Sequence, residues 1–275
     1  MTLSEADRFR ATIKSGETRP VQAAAFAGGW REGLLVLAMV LAPVGLAVIL
    51  TTAGVLAIEA WQAARGLPIE LPARANLQLI GMLAYVVGSW IDVAAVWLWS
   101  HRRGFRRDVL AFRGLTWPAM AASLAGFLIA MYGAPAMTRW LSHMAGGGGP
   151  AHSRIDFHGP HAAAIYVLLF VITAPLCEEI LYRGLLVAWL RRIGWRDWAI
   201  LLAGSVIFGA NHIIPLGVVW SVVMVGFGAI LFALRLWFNS LTPAWLAHLL
   251  FNAHPLVILP LIERFAPALS PGTLL

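Results

Sequence analysis

The length and continuity of its apolar runs limit this chain more than any other feature of its sequence. Such runs cover about 33–58, 77–99, 115–138, 164–190, 198–213, 216–238 and 242–260, and a helix needs about 20 apolar residues to cross a bilayer. The runs are unbroken rather than alternating, which suits helices and not the strands of a membrane barrel. Composition agrees, with 60% hydrophobic and 12% charged residues, about half the charged share of an average soluble domain. The expected fold is therefore all-α, a polytopic transmembrane helical bundle of about seven spans (seven to eight) with a cytoplasmic N-terminus.

That orientation comes from the basic residues. Of the 20 Lys and Arg, fourteen fall before the first run or in the loops after the second, fourth and sixth, from Arg8 and Arg10 through Arg102–Arg107 and Arg191–Arg196 to Arg235. Only Arg65, Arg74, Arg139, Arg154 and Arg264 fall on the other side, and positive loops stay inside. The net charge of +7 is thus a matter of topology, and no nucleic-acid partner is expected. The single cysteine, Cys177, excludes an intrachain disulfide.

By segment, residues 1–32 read as a basic cytoplasmic stretch with a short amphipathic helix around Ser4–Lys14. Residues 33–141 hold the first spans, 142–161 a flexible Gly-rich outer loop, 162–260 the chemistry-bearing spans and 261–275 a tail. The outer loop carries Gly146–Gly149 and Pro150, with His143, His152, His158, His161 and Asp156 at irregular spacing that favours a solvated loop over a metal site.

Inside the fourth run, Pro175-Leu176-Cys177-Glu178-Glu179-Ile180-Leu181-Tyr182-Arg183-Gly184 puts three ionisable groups into six residues. Each costs roughly 2.5–3.5 kcal/mol on insertion scales, so such groups normally face a protein interior or a wet cavity. Glu179 and Arg183 are i,i+4 and can pair along the helix. Glu178 points about 100° away, toward the side of Tyr182, and is left free for chemistry. Pro175 should kink the helix, since it has no N–H for the carbonyl of Val171.

Other polar groups sit at comparable depth. From Trp198 to Ile213 a helix reaches only ~24 Å against a ~30 Å core, so Asn211 and His212 should end inside the protein. Thr242-Pro243 starts the last run with a cap and a first-position proline, and His248 and Asn252 follow as an i,i+4 pair. Measured from the cytoplasmic ends, Glu178, His212, Asn252 and His248 lie ~20, ~21, ~15 and ~9 Å deep, gaps that helix tilt can close. Asp92, the remaining acid within a run, either pairs with an arginine or lines the cavity.

A Glu with a His can deprotonate water for attack on a peptide carbonyl, and a His with an Asn amide can donate to the resulting oxyanion. Glu178, His212 and His248 also make an allowed His₂Glu zinc set with one open position, so zinc is a candidate cofactor. No His-Glu-x-x-His, Gly-x-Ser-x-Gly or second intramembrane Asp supports a rival protease chemistry. Cys177 in an apolar setting makes a poor nucleophile.

Taken in order, Glu178-Glu179-x-x-x-Arg183, Phe208-x-x-x-His212 and His248-x-x-x-Asn252, with the Asn239-Ser240-Leu241-Thr242-Pro243-Ala244 lead-in, resemble the motifs of the CPBP (CaaX protease and bacteriocin-processing, Abi) intramembrane proteases. The resemblance covers about residues 160–255. It implies a helical site within the membrane, reached from the cytoplasm. Glu178 and His212 would activate water, His248 and Asn252 would form the oxyanion hole, and Glu179 and Arg183 would hold the site together. It also implies a membrane-associated protein or peptide substrate, prenylated in eukaryotic members, and the family label of metalloendopeptidase. The Arg- and Ala-rich composition suggests a bacterial plasma membrane. The competing classes are a non-proteolytic scaffold or immunity protein and a proton-coupled transporter, although no paired repeat supports the latter.

Overall fold

The computed structural model describes residues 29–69, 74–144, 160–258, 261 and 264–265. The amphipathic Ser4–Lys14 segment, the glycine run and most of the tail lie outside these residues. Among the described residues there is no strand, and the molecule is an all-α bundle. Helices α1 (Trp30–Ala64) and α2 (Arg74–Arg102) form a hairpin. A short α3 (Arg106–Val109) leads to α4 (Trp117–Met144). A composite rod, α5, spans 160–192, and α6 (Asp197–Ala210) and α7 (Ile213–Phe238) form a second hairpin. The last helix, α8 (Thr242–Ala253), runs into a π-helical turn, His254–Ile258.

Among the described residues five helices, α1, α2, α4, α5 and α7, are long and apolar enough to cross a membrane. The expected fifth and seventh spans are the shorter α6 and α8, of 14 and 12 residues. A 14-residue helix reaches about 21 Å, so α6 is shorter than the ~30 Å core of a bilayer. The chain turns at His212 and is broken again at Gly217, whose φ of 79° and ψ of 172° belong to a region open essentially to glycine alone.

The α5 rod is the axis. Its most apolar stretch is 56% buried, against 17% for α1 and 22% for α4, because it packs against α1, α2, α3, α6, α7 and α8. A helix that is apolar all round suits that position. The outer helices turn Ile49, Ile129 and Trp237 outward, a surface that fits lipid and not water. Small residues bring helices close: a side chain at Gly126 would strike Ile230, and one at Gly88 would strike Leu46, the usual basis of contact between helices in lipid.

One end of the bundle gathers the charged loops. Glu32 pairs with Arg103 at 3.3 Å, Asp108 with Arg192 at 3.3 Å and Asp197 with Arg191 at 2.9 Å. Asn239, in the left-handed region at φ 47°, accepts from both Arg191 and Arg235 at 2.9 Å. The start of α1 and the ends of α2, α5 and α7 therefore share one side, where these charged groups gather. The connector after α2 closes this end. Its Ala111 carbonyl accepts from the Leu241 N–H at 2.9 Å, and Arg113 exchanges two hydrogen bonds with the Thr242 hydroxyl. The carbonyl of Val109 lies where a side chain at Gly184 would have to sit, so only glycine lets α5 pass.

Candidate functional site

The site begins with the hydrogen-bond register of α5. The rod is α-helical over Pro160–Tyr166, π-helical over Val167–Thr173, α-helical over Ala174–Glu178, π-helical over Glu179–Leu186 and α-helical again over Val187–Arg192. Dihedrals stay helical at each junction, Tyr166, Thr173, Glu178 and Leu186 included. The expected disruption at Pro175 is thus a change of register. In the first π segment the Ala174 N–H reaches back five residues to the Leu169 carbonyl. The next bond in that register would join residue 175 to the Phe170 carbonyl, and proline has no N–H to give. Asn252 fills the vacancy: its Nδ2 donates to the Phe170 carbonyl at 2.8 Å. π-bulges are frequent at functional sites, and this one orients a candidate side chain on another helix.

Four of the predicted residues meet at α5. Glu179 and Arg183 are fully buried and pair through Glu179 Oε1 and Arg183 Nη1 at 3.3 Å. Arg183 Nη2 donates to the Gly228 carbonyl at 3.3 Å, and its guanidinium lies 4.3 Å from the Phe208 ring centroid and 4.4 Å from that of Phe232. The same Glu179 oxygen accepts from His248 Nδ1 at 2.9 Å, while His248 Nε2 faces Glu178 Oε2 at 3.9 Å. The two carboxylates therefore take the two nitrogens of one imidazole. A carboxylate only accepts, so Nδ1 carries the proton given to Glu179, and Nε2 can donate only when the ring is an imidazolium. Glu178 is 8% exposed where Glu179 and Arg183 are sealed, so it is the carboxylate open to a reactant. Tyr182 does not bond Glu178; it packs edge-on against Phe208 at 5.1 Å between centroids.

His212, at the inner end of α6, has its Nδ1 2.7 Å from the Phe208 carbonyl. A carbonyl cannot donate, so Nδ1 bears the proton and Nε2 keeps its lone pair. The Phe208 ring lies against His212 at 4.7 Å and His248 at 6.2 Å, which sets the two imidazoles on either side of one aromatic ring. His212 makes no ion pair with Glu178 among the described residues. Nor is any group of three His, Cys, Asp or Glu side chains among them arranged to hold a metal ion. The zinc set of Glu178, His212 and His248 is therefore not assembled among the described residues, although the Nδ1 bonds leave Nε2 of each imidazole as the nitrogen open to a ligand.

Two features escaped the sequence reading, and a third, Asp92, was left open by it. The Tyr85 hydroxyl on α2 donates to Glu178 Oε1 at 2.9 Å, yet a tyrosine in an apolar run carries no signal of its own. Arg235, counted only as a loop charge, is buried and donates from Nε to the Arg183 carbonyl at 2.9 Å. Asp92 is buried, pairs with no arginine among the described residues and leaves Oδ2 without a hydrogen bond.

All the motif residues fall inside one recognisable segment. Residues 160–254 match the family model described as type II CAAX prenyl endopeptidase Rce1-like. That match supports the CPBP/CAAX protease family. The CAAX-type segment includes Glu178, Glu179, Arg183, His212, His248 and Asn252 and leaves α1 to α4 outside. No curated protein and no solved structure matches the chain. The match covers about a third of the chain and supports, in general terms, a CAAX-type peptidase, while the apolar helices suggest an integral membrane protein.

Proposed function

We propose that the chain hydrolyses a peptide bond of a membrane-associated protein or peptide within the bilayer, using a water molecule activated by Glu178 and His212. The observation that carries this reading is the single buried imidazole of His248 between two consecutive carboxylates, one sealed with Arg183 and one open. A sealed pair suits a brace, and an open carboxylate suits a base.

In the proposed cycle Glu178 takes a proton from water, and the His212 Nε2 lone pair holds that water by accepting its other hydrogen. The water oxygen bonds to the scissile carbonyl carbon, and the carbonyl pair moves onto oxygen. Asn252 spends one amide hydrogen on the Phe170 carbonyl and keeps the other for the oxyanion. His248, as an imidazolium held by Glu179, donates from Nε2. The tetrahedral adduct collapses with loss of the C–N bond, and Glu178 returns its proton to the departing amine. No step is routed through a metal, because among the described residues no three His, Cys, Asp or Glu side chains are gathered to hold one.

The test is turnover by purified protein in liposomes on a library of membrane peptides that includes prenylated CaaX-terminated ones. Cleavage by the wild type and its loss in Glu178→Gln are expected. A library left intact by well-folded wild type, or cut equally by Glu178→Gln, refutes the proposal.

A further inference from the structure

We propose that Tyr85 is a positioning residue of the hydrolytic site, contributed by α2 from outside the family-matched segment: its hydroxyl anchors one oxygen of Glu178 and turns the other toward the reacting water. This rests on the reading of Glu178 as the base.

A phenol can only donate to a carboxylate, so the 2.9 Å contact fixes Glu178 Oε1. The second oxygen is then the one that faces His248 Nε2 at 3.9 Å. Without an anchor, a glutamate with three rotatable bonds has several rotamers to choose from, and a base must stand within hydrogen-bond reach of the proton it takes. Tyrosine fits the task because it orients the carboxylate without bringing a positive charge. Arginine would orient it too, but would also hold it in its ionised form and oppose proton uptake. Glu179 has Arg183, a permanent cation, at 3.3 Å, whereas the nearest cationic candidate to Glu178 is His248 Nε2, at 3.9 Å.

The hydroxyl is itself held in place. Two side chains of α2 reach α5, Tyr85 donating to Glu178 and, five residues on, Trp90 Nε1 donating to the Thr173 hydroxyl at 3.3 Å. Gly88 of α2 also lies so close to α1 that a Cβ would come within 2.9 Å of Leu46. Contacts with both helices set the rotation of α2 and with it the direction of Tyr85.

The Trp90–Thr173 bond provides the control, since it joins the same two helices without touching the site. Tyr85→Phe, Trp90→Phe, Glu178→Gln and the Tyr85→Phe/Glu178→Gln pair are compared for melting in detergent and for kcat and KM in liposomes. Tyr85→Phe is expected to lower kcat about tenfold or more, the equivalent of ~1.4 kcal/mol, with KM within about twofold and melting close to that of Trp90→Phe. In the Glu178→Gln background it should add no further loss. A Tyr85→Phe kcat equal to that of Trp90→Phe, beside an inactive Glu178→Gln, overturns the positioning role and leaves the base assignment standing. An active Glu178→Gln removes the base assignment and this inference with it. Should Tyr85→Phe not accumulate, fluorotyrosine at position 85 keeps the shape and alters the donor, and an unchanged kcat overturns the proposal.

Discussion

Glu178 and Glu179 are adjacent in the chain, and the structure predicts that they fail in different ways. Glu179→Gln leaves the Arg183 guanidinium without a counter-charge in a place with no solvent exposure. Breaking a buried pair from one side costs about 3–5 kcal/mol. Part of that loss is offset, because Arg183 keeps the Gly228 carbonyl and lies between the Phe208 and Phe232 rings, so the lower end of about 3 kcal/mol is expected. A chain of this size loses roughly 2–4 °C of melting temperature per kcal/mol, which makes the shift roughly 6–12 °C. Glu178→Gln keeps an acceptor for the Tyr85 hydroxyl and strands no charge, so its melting should stay near that of wild type while kcat falls by the roughly 10²–10⁴-fold credited to general-base catalysis. Glu179→Leu with Arg183→Leu should melt above Glu179→Leu alone and still turn over poorly, since His248 has lost the acceptor for Nδ1. Scanning fluorimetry in detergent beside turnover in liposomes reads all of these. If Glu178→Gln is the unstable variant, or if Glu179→Gln melts with wild type, the division between base and brace is wrong.

Three further outcomes follow from named contacts. Pro175→Ala restores an N–H that competes with Asn252 for the Phe170 carbonyl, so kcat should drop severalfold while melting holds or rises, as removal of an interior proline favours the helix; unchanged kcat would argue against the oxyanion role of Asn252. Cys177→Ala should keep most activity, because the attacking group is water, and abolished turnover in a folded variant would point to the thiol. Gly184→Ala drives a methyl group into the Val109 carbonyl and should cost about 1–3 kcal/mol, seen as lower yield and melting; a variant as stable as wild type would contradict the close passage of α5.

What the sequence showed and what it hid divide along a physical line. The Glu179–Arg183 pair was legible because i,i+4 neighbours meet in any helix, and the early end of α6 was legible from its length alone. The placement of His248 between both carboxylates was not, since local spacing predicts only that Glu178 and Glu179 diverge. It takes α8 packed on α5 to bring one imidazole to both. Register was equally hidden: Pro175 predicts a disturbance, but the α-to-π shift depends on what surrounds the freed carbonyl, here Asn252 from 82 residues downstream. Arg235 was misjudged because a positive residue near a helix end looks like a topology signal whether it faces the cytoplasm or, as here, the Arg183 carbonyl. Span number suffered from the same lack of context, as apolar length cannot separate a crossing helix from a short one wrapped by neighbours.

The connector that caps the charged end also bears on how the protein is made. A chain emerging from the ribosome presents the Asp108, Ala111 and Arg113 carbonyls long before Arg235, Leu241 and Thr242 exist to bond them, with 129 residues separating Arg113 from Thr242. The first helices must therefore enter the membrane with that rim unfinished and wait for the last hairpin to close it. The family-matched stretch, for its part, arrives second and finishes at a rim that was synthesised first. Biosynthetic order thus makes the early helices a template for the site, and the active centre takes shape only as the end of the chain is delivered.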